Sequence, residues 1–162
     1  MSSSSESEER AFQILGLKNP IISEDELIRR FEGLKVPEAL FYDNGTTVSV
    51  EVKRIIGNTL PHCGKGRRRI KRYVKGRERI IWPWTSSVET ALSKLHSSIA
   101  HEFCVSIHIA VFLIPDILSN SVKERIIRHI ETIASTFLTE RNTSTKVKYF
   151  IFDCDEKYFD RL

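Results

Sequence analysis

The stretch from Phe103 to Ile114 is almost continuously apolar and β-branched, and Pro115 closes it. A strand with one solvated face alternates apolar and polar residues, whereas one that does not alternate is covered on both faces. This run therefore predicts a central sheet strand with helices above and below. Its neighbours can supply them. A helix is predicted from about Ser87 to His101, with Val88, Leu92, Leu95 and Ile99 at helical spacing. After Pro115, Ser121 to Glu124 reads as a capping box opening a long helix that turns Val122, Ile126, Ile130, Ile133 and Phe137 inward. Lys146 to Asp153 is the last predicted strand, and strand, helix, strand over this span predicts a right-handed parallel crossover.

The N-terminal third has its own punctuation. Residues 1–7 are serine and acid and read as a disordered tail, followed by a short helix over about Glu8 to Leu17 with Ala11, Phe12 and Leu15 on one face. Ser23 to Glu26 is a capping box for a second helix carrying Leu27, Ile28 and Phe31, which Gly33 ends. No strand is evident between the opening helix and Pro37. Then Ala39 to Asp43 and Thr46 to Ile56 flank Asn44-Gly45, the strongest short-range hairpin signal a sequence offers. Residues 57–84 form a basic insert whose glycines argue for irregular structure around a helical turn or two. The expectation is one α/β domain over residues 1–162: three layers, with a mixed sheet of an antiparallel hairpin and parallel strands between helices.

With 162 residues the chain can bury roughly two-thirds of its unfolded surface, so its core needs no disulfide or structural metal. A hydrophobic content of 41% with 28% charged residues fits a soluble globular protein, and no apolar run reaches the length of a membrane span. Met1 to Arg10 lacks the apolar stretch of a secretory signal. Three widely spaced cysteines, Cys63, Cys104 and Cys154, read as reduced thiols, and so as an intracellular compartment. A homodimer is compatible with these features.

The hairpin register makes a chemical statement. If Asn44-Gly45 is a two-residue turn, Asp43 faces Thr46, Phe41 faces Val48, Ala39 faces Val50 and Glu38 faces Glu51. Opposed residues project to one side with Cβ atoms about 5 Å apart, and Lys53, two residues after Glu51, shares that side. One face would then carry Glu38, Glu51 and Lys53, and the other Phe41, Val48, Val50 and Val52, which is the core. Opposed carboxylates repel unless a proton, a lysine or a metal ion lies between them. A hard divalent cation, Mg²⁺ above all, or Mn²⁺, is the natural occupant. Asp43 adjoins the turn and points to the wrong face, so it reads as ordinary turn chemistry.

Pro37-Glu38, twelve residues, then Glu51-Val52-Lys53 resembles the PD…(D/E)xK signature of restriction-endonuclease-like nucleases, the resolvase-type members most closely. The resemblance spans about Ser23 to Ile114 by element order. It implies a Mg²⁺-dependent endonuclease in which Glu38 and Glu51 ligate the metal and Lys53 orients or deprotonates the attacking water. The family often adds a helix glutamate, a place that Glu24 or Glu8 could fill. Glu38 stands where the family usually has aspartate, one methylene shorter. Lys94 could face the same site.

Net charge is +4, but between Gly64 and Arg79 stand Lys65, Arg67, Arg68, Arg69, Lys71, Arg72, Lys75, Arg77 and Arg79 against the single acid Glu78. Directly after the candidate catalytic strand, such a run predicts contact with nucleic-acid phosphates, DNA in particular. It would also pass as a nuclear-localisation signal. Tyr73, Trp82 and Trp84 could stack on bases or anchor packing. His62 and Cys63 lack a second pair at zinc-ligand spacing, and His108, in the central strand, is most simply a satisfied core histidine. Two rivals to the nuclease reading are a non-catalytic nucleic-acid-binding domain on a degenerate nuclease fold and an interaction module with a targeting signal.

Overall fold

A computed structural model describes residues 3–55, 70–74, 77–81, 85–116, 118–140 and 145–154. Its elements follow in the order α1 (Ser3–Ile14), β1 (Ile22–Ser23), α2 (Glu24–Arg30), β2 (Ala39–Asp43), β3 (Thr46–Arg54), β4 (Ile70–Val74), β5 (Arg77–Ile81), α3 (Thr85–Leu92), α4 (Ser97–Glu102), β6 (Val105–Pro115), α5 (Asn120–Thr139) and β7 (Lys146–Cys154). Five strands form one mixed sheet in the order β1-β2-β3-β6-β7. The β1/β2 and β2/β3 pairs are antiparallel, while β3/β6 and β6/β7 are parallel.

β6 meets the demand its sequence makes. Val111 and Leu113 pack on one face with Ala11 and Leu17 from and just after α1, beside Val48, Val50 and Val52 of β3. Ala110, Phe112 and Ile114 pack on the other with Val88 and Leu92 of α3 and Ile126, Ile130 and Ala134 of α5. Residues 110 to 114 are wholly buried. Each large apolar side chain so placed contributes about 1.5–3 kcal/mol relative to an exposed one. A third cluster joins Leu27 of α2 and Ile99 of α4 to Leu40. The domain is thus three layers, with α1 on one face and the remaining helices on the other.

Several elements depart from expectation, each for a local reason. The N-terminal residues from Ser3 onward are helical rather than a tail, and Ser7 is buried. Docking of Ala11 and Leu17 carries the helix back into this polar stretch. A strand does precede Pro37, but β1 is two residues long, and Ser23 serves both as its end and as the N-cap of α2, accepting from the Glu26 N–H. α2 stops at Arg30, before Gly33. The helix expected over Ser87 to His101 is broken in two. Ser93 returns its hydroxyl to the carbonyls of Glu89 and Thr90, His96 donates its N–H to Lys35 O, and the His96 ring caps α4 by accepting from the Ser98 N–H. α5 begins at Asn120 after Ser119, so the capping box at Ser121 does not open it.

The basic insert holds a two-stranded antiparallel sheet rather than helical turns, with Lys71 opposite Ile80, Arg72 opposite Arg79 and Tyr73 opposite Glu78. Its β-favouring residues, Ile70, Tyr73, Val74, Ile80 and Ile81, outweigh the charges between them. Lys71, Arg72 and Arg77 lie on this hairpin. Lys65, Arg67, Arg68, Arg69 and Lys75 lie outside the described residues, as do His62, Cys63, Trp82 and Trp84. Among the described residues, no helix is long and apolar enough to cross a membrane.

Candidate metal centre

Asn44 and Gly45 both take positive φ, 50° and 81°, the conformation that a two-residue hairpin turn requires at both positions. The register follows as read: Asp43 opposite Thr46, Phe41 opposite Val48, Ala39 opposite Val50. Asp43 is exposed at the turn, remote from the acids further along the hairpin. Glu38 lies one residue ahead of β2, and its N–H donates to Val50 O at 2.9 Å. Its side chain reaches Glu51.

Glu24 arrives by a different route. β1 pairs Ser23 with Ala39, so the first residue of α2 lands beside the residue preceding Ala39. Glu24, Glu38 and Glu51 each offer one carboxylate oxygen, and these oxygens lie within 4.8 Å of one another. Among the described residues no other three acidic, histidine or cysteine side chains converge in this way. A pocket of about 230 Å³ opens here, lined by Ser7, Glu8, Glu38, Glu51, Lys53 and Arg54 among others. The structure therefore gathers Glu38, Glu51 and Lys53 as the hairpin register predicts, and adds both candidate helix glutamates.

The site is not evenly open to solvent, however: Glu24, Glu38 and Lys53 are half-buried, whereas Glu51 lies deeper. Val48, Val50 and Val52 belong to the cluster under α1, and the helices of the opposite layer cover the other side of β3. Glu51 is consequently only 7% exposed, and its Oε1 is the one buried side-chain oxygen or nitrogen among the described residues without a hydrogen-bond partner. Buried polar atoms are nearly always satisfied, so an orphaned oxygen on a carboxylate that has two others for neighbours requires an explanation.

Electrostatics point the same way. Burial, then the charges of Glu51, Glu8 and Glu24 and a hydrogen bond with Glu24, push the Glu38 carboxyl up to about 10. Burial also raises Glu51, to about 7; Lys94 and Lys53 oppose the shift, while Glu24 and Glu8 add to it. In the metal-free protein near neutral pH, Glu38 is thus a carboxylic acid donating to its neighbour. Three hard oxygen donors, negatively charged once Glu38 and Glu51 lose their protons, form a set suited to a hard divalent cation.

Lys94, from the break between α3 and α4, has the largest favourable charge effect on Glu51, ahead of Lys53. Ser7 and Arg54 join the pocket without any sequence signal that singles them out. His108 is buried and satisfied, as expected of a core histidine, by Ser49 Oγ at 2.7 Å and Ala91 O at 2.9 Å. No protein-family model matches this chain, and neither does any curated protein or solved structure.

Proposed function

We propose that the protein is a divalent-metal-dependent nuclease that hydrolyses phosphodiester bonds of nucleic acid, with DNA the expected substrate and Mg²⁺ or Mn²⁺ the expected ion. The observation that carries this reading is the orphaned Glu51 Oε1 inside a three-carboxylate cluster, with Lys53 one strand repeat away. The likeness of Pro37-Glu38 and Glu51-Val52-Lys53 to the PD-(D/E)xK signature supports it. So does the placing of these residues on a β-hairpin of a mixed sheet.

Glu24, Glu38 and Glu51 would hold the ion, which when bound polarises a phosphate and lowers the pKa of an attached water. Lys53, lining the same pocket, supplies an ammonium group that can donate hydrogen bonds to the attacking water and offset phosphate charge. Glu38, whose proton is shared with Glu24 in the metal-free protein, would have to lose it to serve as a ligand. Lysine donates and does not ligate, so Lys53→Ala should stop cleavage while leaving Mn²⁺ affinity within about a factor of three of wild type. Isothermal titration alongside a nicking assay checks the pair.

The direct test is incubation of the full chain with Mg²⁺ or Mn²⁺ and single-stranded, duplex or branched DNA. Metal-dependent cleavage of one of these supports the proposal; binding of DNA without cleavage at any metal concentration would convert it to a nucleic-acid-binding domain on a degenerate nuclease fold. The basic insert gives a separate expectation. If Arg67, Arg68 and Arg69 neutralise three phosphates, replacing all three by alanine should flatten the slope of log affinity against log salt by about 2.7 on duplex DNA. An unchanged slope would assign the segment to targeting or solvation.

A further inference from the structure

His108 does more than fill a core position. Its ring bridges β3, which carries Glu51 and Lys53, and the end of α3, after which the chain runs on to Lys94. On one side, Nδ1 lies 2.7 Å from Ser49 Oγ, and Ser49 is two residues before Glu51 on the same face of β3. On the other, Nε2 lies 2.9 Å from Ala91 O in the last turn of α3. A carbonyl can only accept, so Nε2 carries the proton, and in the neutral ring Nδ1 accepts from the Ser49 hydroxyl.

The Ala91 carbonyl is where the chain turns towards Lys94. The last carbonyls of a helix lack intrahelical partners and need others. Ser93 satisfies those of Glu89 and Thr90 through its N–H and hydroxyl. Ala91 O receives the Lys94 N–H only at 3.5 Å, a long contact, and depends on His108 for its good hydrogen bond. The histidine thus grips the carbonyl that also receives the backbone of Lys94. A leucine would fill the same volume and leave that carbonyl without its principal donor.

We infer that His108 is a positioning residue: its bonds to Ser49 Oγ and Ala91 O tie the end of α3, and with it the Lys94 backbone, to the strand that carries Glu51, and so direct the Lys94 side chain towards that carboxylate. The spatial part stands without any assigned activity, and only its kinetic consequence rests on the nuclease reading. The charge effect of Lys94 on Glu51 agrees with this placement.

A zero-length carbodiimide, applied to the full metal-free chain and read by peptide mass spectrometry, tests the spatial part. Wild type should form the Glu51–Lys94 amide, and His108→Gln, which keeps a donor, should form it in comparable yield. His108→Leu should lose most of it while retaining its circular dichroism. Should that variant not fold, Ser49→Ala, which frees the ring without changing the core volume greatly, should show a severalfold loss. No Glu51–Lys94 product in wild type, or an undiminished yield in the variant that does fold, would overturn the inference. On a substrate that wild type cleaves, His108→Leu and Lys94→Met should each lower kcat roughly 10–100-fold, the range for residues that orient a metal site. The double variant should be no worse than the more severe single one, and additive losses would also overturn the positioning role. Failure of wild type to cleave would count against the nuclease reading alone, since the cross-link decides the geometry.

Discussion

Glu51→Gln is expected to abolish divalent-ion binding and cleavage and, in the metal-free protein above pH 7, to raise the melting temperature. The two effects have one cause. Glu51 is buried with an oxygen that no hydrogen bond satisfies, and it faces Glu24 and Glu38. In the metal-free state its negative charge is a liability, which is why burial and the acids around it raise its pKa to about 7. Glutamine keeps the shape, removes the charge and offers an amide donor to the neighbouring carboxylates. Yet that charge is what an ion would need. Losing the metal's stabilisation of developing charge costs on the order of 4 kcal/mol, or roughly 10³-fold in rate. A nicking assay, Mn²⁺ titration and a thermal melt in EDTA measure the three quantities. If the variant loses stability while its Mn²⁺ affinity is unchanged, Glu51 is a structural acid and the metal assignment is wrong.

What could be read beforehand followed from whether the governing contact was local. Asn44-Gly45 imposes its turn within four residues, so the register from Ala39 to Val50 and the meeting of Glu38 with Glu51 were legible. β6 was legible because an unalternating apolar run has few alternatives. Glu24 was only one of two candidates, because it is delivered by a two-residue strand, too short to leave a periodic pattern. The break between α3 and α4 was hidden for a similar reason. Val88, Leu92, Leu95 and Ile99 continue in helical phase across it, while the bond that favours the break, His96 N–H to Lys35 O, joins residues 61 positions apart in the chain. The β4–β5 hairpin was masked by its composition, since lysines and arginines crowd between the β-favouring residues that define it without a period of two. Burial of Glu51 was the least visible feature. It depends on two helical layers closing on β3 at once, and it is what turns a pair of acids into a strongly perturbed cluster.

That perturbation makes metal dependence of stability a second large expected effect, with a definite sign in pH. Unfolded glutamates titrate near 4.5, whereas the folded protein holds the Glu38 proton to about 10 and the Glu51 proton to about 7. Between 4.5 and 10 the folded form therefore binds more protons than the unfolded form, and stability falls as pH rises. The contribution of the two groups is complete below 4.5. It is lost most steeply between 4.5 and 7, where both are out of balance, and more slowly to 10, where Glu38 alone remains. In EDTA, Glu38→Gln should accordingly gain melting temperature over wild type progressively from pH 5 to pH 9, a comparison that cancels the titration of groups elsewhere. A divalent ion acts in the opposite sense because it binds the deprotonated carboxylates. At pH 8 and a hundredfold excess over its dissociation constant, Mn²⁺ should add about 2.7 kcal/mol, or roughly 5–10 °C for a domain of this size. At pH 5 protons hold the site and the same concentration should add little. Glu38→Gln removes a ligand and should forfeit most of the gain at pH 8. A wild type whose melting temperature is indifferent to Mn²⁺ at pH 8, yet matches Glu38→Gln at every pH in EDTA, would mean that the three carboxylates are neither strained nor poised for a cation.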